Sequence, residues 1–127
     1  MQPIKKPHQQ ALDTLAERTE TMRQQTADLA SINSGSFNAD GVNAVAEALS
    51  GLFQPIADTV ERVPIAPLRQ LADNGEFVDR PMGDALVIRK RPHARRRVLL
   101  AGHLDTVFPS DSSFQSVRIE DDRLHGP

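Results

Sequence analysis

A histidine and an aspartate lie two residues apart in the segment LLAGHLDTVFP, which spans residues 99–109. In an extended backbone, residues i and i+2 point to the same side, so His103 and Asp105 are expected to share one face. A neutral imidazole binds zinc through one ring nitrogen, and a carboxylate that accepts the proton of the other nitrogen fixes the tautomer. The spacing is therefore compatible with a metal-binding histidine supported by an aspartate. Taken alone, however, it favours a structural histidine at a strand end.

The strands that would position this pair are predicted from short apolar runs. Residues 85–88 (ALVI) and 98–101 (VLLA) are typical of buried strands, and the second run leads directly into His103. This position matters because ligands in open α/β sheets gather at the carboxyl ends of strands. Further strand and turn signals lie at residues 59–65, at Asn74-Gly75 and in a final hairpin over residues 117–124.

Two helices are predicted before these strands. Residues 9–30 contain no Gly or Pro, and their apolar stripe predicts a surface helix packed on a core. A second apolar face runs over residues 42–53, where Asn38 or Asp40 can cap the start and Pro55 ends the helix. Two helices followed by several strands predict an α/β architecture with a mixed sheet.

The composition narrows the kinds of site that the chain can hold. Its 127 residues suit one domain or a large part of one, and they include no cysteine. A disulfide framework and a thiolate zinc site are therefore excluded, so any metal must be bound by histidines and carboxylates. The net charge of −2 indicates no particular class of partner.

The first eight residues, MQPIKKPH, contain two lysines but no apolar run behind them. This pattern does not fit a secretory signal. No stretch of the sequence approaches the roughly 20 apolar residues that a membrane helix needs. We therefore expect a cytoplasmic protein that makes no membrane contact.

Six basic residues fall within the nine positions 89–97 (RKRPHARRR). Such a cluster can bind nucleic acid, but this one contains no aromatic residue that could stack on a base, and acidic residues elsewhere offset its charge. We therefore predict no nucleic-acid partner. The segment is interpreted as an exposed turn, formed by residues 92–94, between two buried strands. An interaction surface made by this basic turn is the alternative.

The segment around His103 resembles the first metal-binding motif of the zinc aminoacylase and carboxypeptidase family. This family includes glutamate carboxypeptidases, acetylornithine deacetylase, succinyl-diaminopimelate desuccinylase and peptidase T. The likeness covers most of the chain from about residue 20 onward. Residues 31–36 (SINSGS), with Gly41 and the helix after it, are similar to the family's N-terminal segment, and residues 121–127 (DDRLHGP) are similar to the approach to its second metal motif. The Asn-Ser-Gly-Ser and Val-Phe-Pro details resemble the glutamate-carboxypeptidase branch.

This resemblance implies roles for two residues. His103 matches the histidine that binds one zinc ion, and Asp105 matches the aspartate that supports this histidine and is usually called catalytic. The family's bridging aspartate, its glutamate pair and its other ligands have no counterpart in this sequence. His125 lies near the expected place of the bridging aspartate but matches no ligand, so it is interpreted as a turn residue.

The resemblance also implies that residues 1–127 are the N-terminal portion of a zinc-exopeptidase-like catalytic domain whose sheet is incomplete. The family's lid and dimerisation domain would be absent. The full-length protein would use two zinc ions to hydrolyse an amide bond of a peptide or an N-acyl amino acid. The 127 residues alone would be inactive and would bind no zinc stably. Their partners would be the missing C-terminal part and a second copy of the chain, as a homodimer or by self-association. Without the missing part, uncovered strand edges would leave the chain self-associated or loosely folded. A non-catalytic interaction module and a pseudoenzyme are the alternatives.

Overall fold

The computed structural model describes the backbone of residues 6–127 and the side chains of residues 8–127. Within these residues the content is mixed α/β, with three helices and six short strands. The helices are α1 (Lys6–Glu17), α2 (Thr19–Ala30) and α3 (Ala39–Phe53). The strands are β1 (Thr59–Val63), β2 (Leu68–Leu71), β3 (Phe77–Arg80), β4 (Ala85–Arg89), β5 (Arg118–Glu120) and β6 (Arg123–His125). None of the described helices is long and apolar enough to cross a bilayer.

The predicted helix over residues 9–30 forms as two helices, α1 and α2. Three helices therefore precede the strands, and the prediction of two is wrong. The break lies at Arg18, whose N–H donates to the Leu15 carbonyl three residues earlier, at 3.1 Å. The Thr19 hydroxyl donates to the Ala16 carbonyl at 2.8 Å. Thr14 and Thr26 also donate their hydroxyls to main-chain carbonyls, yet they lie inside unbroken helices, so the Thr19 bond accompanies the break without accounting for it.

The apolar stripe of α1 and α2 is poorly covered. Leu12 and Leu15 in α1 are 47% and 52% exposed, and Met22 in α2 is 42% exposed. Among the described side chains of these two helices, only Ala27, near the end of α2, is buried. The expectation that the whole segment packs on a core is therefore wrong, because only its last turns reach one.

Helix α3 supplies most of the core. Val42, Val45 and Ala46 are buried and lie at i, i+3 and i+4, the spacing that places side chains on one helix face. The Asn38 side chain accepts the Gly41 N–H at 3.1 Å, which confirms Asn38 as the N-cap.

The strands pair in three separate two-stranded antiparallel sheets, β1 with β4, β2 with β3, and β5 with β6. The β1–β4 pair aligns Thr59 with Arg89 and Val63 with Ala85, and α3 packs against this sheet. The predicted strand over residues 85–88 is confirmed as β4, although it is half-buried rather than buried, and the predicted strand over residues 59–65 forms over residues 59–63 as β1. The predicted mixed sheet is wrong for the described residues, because none of the three sheets contains a parallel pair.

The predicted strand over residues 98–101 is also wrong in the structure. Val98, Leu99 and Leu100 are 84%, 88% and 90% exposed, and no strand is assigned there. A buried strand needs neighbours that take up its backbone hydrogen bonds and cover its side chains. No described segment supplies them, so this apolar run lies open to solvent.

The turns agree better with the sequence. Gly75 adopts φ +83° in the β2–β3 hairpin, as the Asn-Gly pair predicts, and Asp121 adopts φ 52° in the β5–β6 hairpin. His125 lies in β6 opposite Arg118, so its interpretation as a turn residue is wrong. The basic turn is closed by the Ala94 N–H donating to the Arg91 carbonyl at 3.0 Å, but only the strand before it forms.

Candidate metal-binding site

Two segments far apart in the sequence meet at the candidate site. We call residues 33–38 the site loop and residues 103–109 the His-Asp segment. The Thr106 N–H donates to the Ser34 carbonyl at 2.8 Å, and Gly35 forms a parallel bridge with Thr106. The Asn33 amide donates to the Phe108 carbonyl at 3.0 Å. These bonds fix the backbone of the two segments against each other.

The site loop can approach this closely because it carries glycine at position 35. A Cβ atom there would lie 2.5 Å from the carbonyl oxygen of Phe108. The loop is also bonded internally, since the Asn38 N–H donates to the Gly35 carbonyl at 2.7 Å and the Asn38 amide donates to the Asn33 carbonyl at 3.0 Å. The side chain that caps α3 therefore also holds the loop that faces the His-Asp segment.

His103 and Asp105 are in direct contact. The Nδ1 atom of His103 lies 3.0 Å from Oδ1 of Asp105 and 2.8 Å from the Asp105 carbonyl oxygen. Both partners are acceptors, so Nδ1 carries a hydrogen. In the neutral ring, Nε2 then presents its lone pair, and the His103 side chain is 84% exposed. Because His103 and Asp105 lie on the same side of the backbone, Nδ1 is engaged by Asp105 and Nε2 remains available as a ligand.

Ser36 of the site loop completes the contacts of the carboxylate. Its hydroxyl donates to Oδ2 of Asp105 at 2.5 Å, while Oδ1 faces His103. The hydrogen bond from Ser36 is the largest cause that lowers the pKa of the Asp105 carboxyl, and the bond from His103 adds to it, against desolvation, which raises it. Asp105 is therefore an ionised acceptor at neutral pH, as support of an imidazole N–H requires.

Open space lies on both sides of Ser36. A cavity of about 340 Å³ is lined by the site loop and by Val107, Pro109 and Ser110. A second cavity of about 290 Å³ reaches from Ser36 and Asp105 towards Gly83 and Leu86. Asp105 lines the second cavity, whereas His103 lines neither of them and is exposed directly to solvent.

The donor set fits one ligand of a metal site and falls short of a complete site. His103 offers one imidazole nitrogen, whereas a tetrahedral zinc site needs three or four protein ligands. Within residues 8–127, no group of three or more His, Cys, Asp or Glu side chains is placed to hold a metal ion.

The structure thus brings together the two site residues that the sequence singles out, and it adds Ser36 and Asn33. The signal for these two was the SINSGS segment, which stands out in the sequence only through its likeness to the family's N-terminal segment. Its distance of about 70 positions from Asp105 gives no indication that the two segments meet.

Comparison of the chain with the profiles of protein families, with curated proteins and with solved structures finds no match in any of the three.

Proposed function

We propose that this chain supplies one zinc-binding histidine, His103, and its supporting carboxylate, Asp105, to the centre of a two-zinc hydrolase. The reaction would be hydrolysis of an amide bond in a peptide or an N-acyl amino acid. The observation that carries the proposal is the fixed Nδ1 contact of His103 with Asp105, which leaves Nε2 exposed and free to bind a metal. The motif likeness around His103 gives the reaction class.

In this proposal zinc, when bound, lowers the pKa of a water molecule and polarises the scissile carbonyl. The residues of this chain prepare the ligand. Asp105 accepts the Nδ1–H hydrogen and so fixes the tautomer, and its negative charge raises the basicity of the ring. Neither residue supplies a general base, because the His103 ring would be engaged by the metal and Asp105 by His103 and Ser36.

The other ligands and the base would come from outside the described residues, since these contain no group of three metal-binding side chains. The proposal therefore includes a zinc-exopeptidase-like catalytic domain of which residues 1–127 form the N-terminal part. A cytoplasmic setting and a homodimer belong to the same proposal.

The test compares the 127-residue chain with a longer protein that contains it and the remaining ligands. N-acyl amino acids and peptides ending in glutamate are the substrates, with Zn²⁺ supplied or removed by a chelator. We expect no turnover by the chain alone, and zinc-dependent turnover by the longer protein. Zinc-dependent turnover by the chain alone, or turnover by the longer protein that survives chelation, contradicts the proposal.

A second candidate function is supported by the basic turn of residues 89–97. Arg89 and Lys90 form ion pairs with Glu61 at 2.8 Å and with Asp58 at 3.0 Å. Arg95, Arg96 and Arg97 form no ion pair with any described side chain. Arg96 and Arg97 line an open cavity of about 880 Å³. A non-catalytic interaction module would use this surface to bind an anionic partner.

Heparin retention distinguishes the two candidates. An interaction module predicts strong, salt-dependent retention that is lost when residues 95–97 are changed to Ala. The hydrolase proposal predicts that the same change leaves zinc-dependent turnover of the longer protein intact.

A further inference from the structure

The Asp105 carboxylate is held at both of its oxygens. Oδ1 contacts Nδ1 of His103 at 3.0 Å, and Oδ2 accepts the Ser36 hydroxyl at 2.5 Å. The last torsion of an aspartate is otherwise broad and weakly restrained. With one oxygen bonded to a hydroxyl, the plane of the carboxylate is set, and the other oxygen is directed at His103.

The hydroxyl that sets this plane is itself placed by fixed backbone. Ser36 follows Gly35, which forms the bridge with Thr106, and it precedes Asn38, which caps α3. Its hydroxyl is also 3.5 Å from the Thr106 carbonyl, but it has a single hydrogen to donate, and the Asp105 oxygen is closer by 1.0 Å and carries the charge. The bond therefore goes to Asp105.

We propose that Ser36 is a positioning residue, which orients the Asp105 carboxylate so that His103 keeps its hydrogen on Nδ1 and presents Nε2 as the metal ligand. This inference rests on the proposed function for its purpose. The arrangement itself concerns only residues of this chain, so it can be measured without zinc and without turnover.

Ser34 provides a matched control in the same loop. It is buried, and its hydroxyl lies 3.5 Å from the Thr106 hydroxyl rather than beside Asp105. Removing the Ser34 hydroxyl therefore disturbs the junction of the two segments without touching the carboxylate. Ser36→Thr is the conservative variant, because it keeps a hydroxyl at the position that contacts Asp105.

The experiment measures the tautomer of His103 by ¹⁵N NMR of histidine-labelled, metal-free chain at a pH where the ring is neutral. Solid-state spectra serve as well as solution spectra, because the chemical shifts do not depend on tumbling. The chain has four histidines, and the signals of His103 are assigned by their loss in His103→Gln.

We expect the Nδ1–H form in the wild-type chain and in Ser36→Thr and Ser34→Ala. In Ser36→Ala, the ratio of Nδ1–H to Nε2–H should fall by about 2- to 3-fold, the low end of what one net hydrogen bond gives, because the Asp105 main-chain carbonyl, 2.8 Å from Nδ1, still accepts its hydrogen. A wild-type ratio in Ser36→Ala, an equal fall in Ser34→Ala, or no Nδ1–H preference in the wild-type chain overturns the proposal. If the ratio falls as expected while the longer protein shows no zinc-dependent turnover, the positioning role stands and the proposed function fails.

Discussion

Two stretches of this chain differ sharply in how they are held. The site loop and the His-Asp segment are joined by hydrogen bonds in both directions, including Thr106 N–H to Ser34 and Asn33 to Phe108. Residues 95–101, which lead into the same site, make no regular pairing among the described residues. The Leu100 side chain, three positions before His103, is 90% exposed.

The difference shows that the two parts of the candidate site depend on interactions of different range. The contacts of Asp105 with His103 and Ser36 are complete within the chain, so they need no further segment. The apolar run before them would be covered only by strands or a surface that the described residues do not provide. The contacts that orient His103 therefore do not depend on a cover for the apolar run.

The largest effect is expected at the ligand itself. In the longer protein with a complete zinc site, His103→Ala should abolish turnover and weaken zinc binding at one site. Asp105→Ala should reduce metal affinity by about 10- to 100-fold and lower turnover, because the imidazole loses its oriented partner. Zinc titration and turnover assays measure both effects.

His93→Ala, in the basic turn, is the matched control for these variants and should leave zinc affinity and turnover unchanged. If His103→Ala and Asp105→Ala both retain wild-type turnover, His103 is not a metal ligand. The site loop and the His-Asp segment then have only a structural role.

The next largest effect concerns the exposed run of residues 98–100. Unpaired strands and bare apolar patches promote association, so the isolated chain should self-associate or be loosely folded. Leu100→Lys should shift the species seen by light scattering towards the monomer, whereas Leu71→Lys, at a side chain that is 57% exposed in β2, should shift it less. A compact wild-type monomer with a sharp cooperative melt would show that the run needs no cover.

A smaller effect is expected where the site loop meets α3. A Cβ atom on Gly41 would overlap the Asn33 carbonyl oxygen and lie 2.5 Å from Nδ2 of Asn38. Gly41→Ala should therefore lower the free energy of unfolding by about 1–3 kcal/mol, the usual cost of overpacking. Denaturant melts of both the variant and the parent measure this difference.

Gly51 in the same helix is the matched control, because a Cβ atom there would meet nothing within 4 Å beyond its chain neighbours and the adjacent helix backbone. Gly51→Ala should raise the free energy of unfolding by about 0.5–1 kcal/mol, since alanine is the better helix former. Equal effects at the two glycines would mean that the close contact between the site loop and α3 does not restrict position 41.

The sequence predicts local structure well where the signal and the cause are both local. The Asn38 cap, the Gly75 turn and the first half of the apolar face of α3 follow from neighbouring residues, and the structure confirms them. At the end of that face, Leu52 and Phe53 are 42% and 39% exposed. The prediction of a buried strand at residues 98–101 is wrong, because hydrophobicity alone does not show whether a partner strand is present.

The candidate site also has a part that depends on neighbouring residues and a part that depends on a long-range contact. The contact of His103 with Asp105 follows from a spacing of two residues, whereas the contribution of Ser36 depends on a backbone bridge between Gly35 and Thr106. Only the folded chain brings these segments together. The break at Arg18 does not follow from the sequence, because residues 9–30 contain no Gly or Pro and their composition favours a continuous helix.

The smallest effect is expected at Asp58, which holds the first part of the basic turn. Its carboxylate accepts the Arg91 N–H at 2.5 Å and contacts Nζ of Lys90 at 3.0 Å. These bonds, the one from Arg91 first, lower the pKa of Asp58 below its usual value of 3.8, although desolvation acts the other way. A carboxyl whose pKa is lower in the folded state stabilises the fold above its unfolded pKa, and this contribution is lost as the pH falls through the folded value.

Asp58→Asn should therefore lower the thermal midpoint slightly at pH 7, and the difference from wild type should disappear as the pH is lowered well below 3.8. Asn keeps an oxygen that can accept the Arg91 N–H, so the variant mainly removes the charge. Asp73→Asn, in the β2–β3 hairpin, removes the same charge away from the basic turn and controls for net charge. Thermal melts across this pH range measure the effect. A difference that stays constant with pH would show that Asp58 acts through hydrogen-bond geometry alone, and that its charge does not anchor the basic turn.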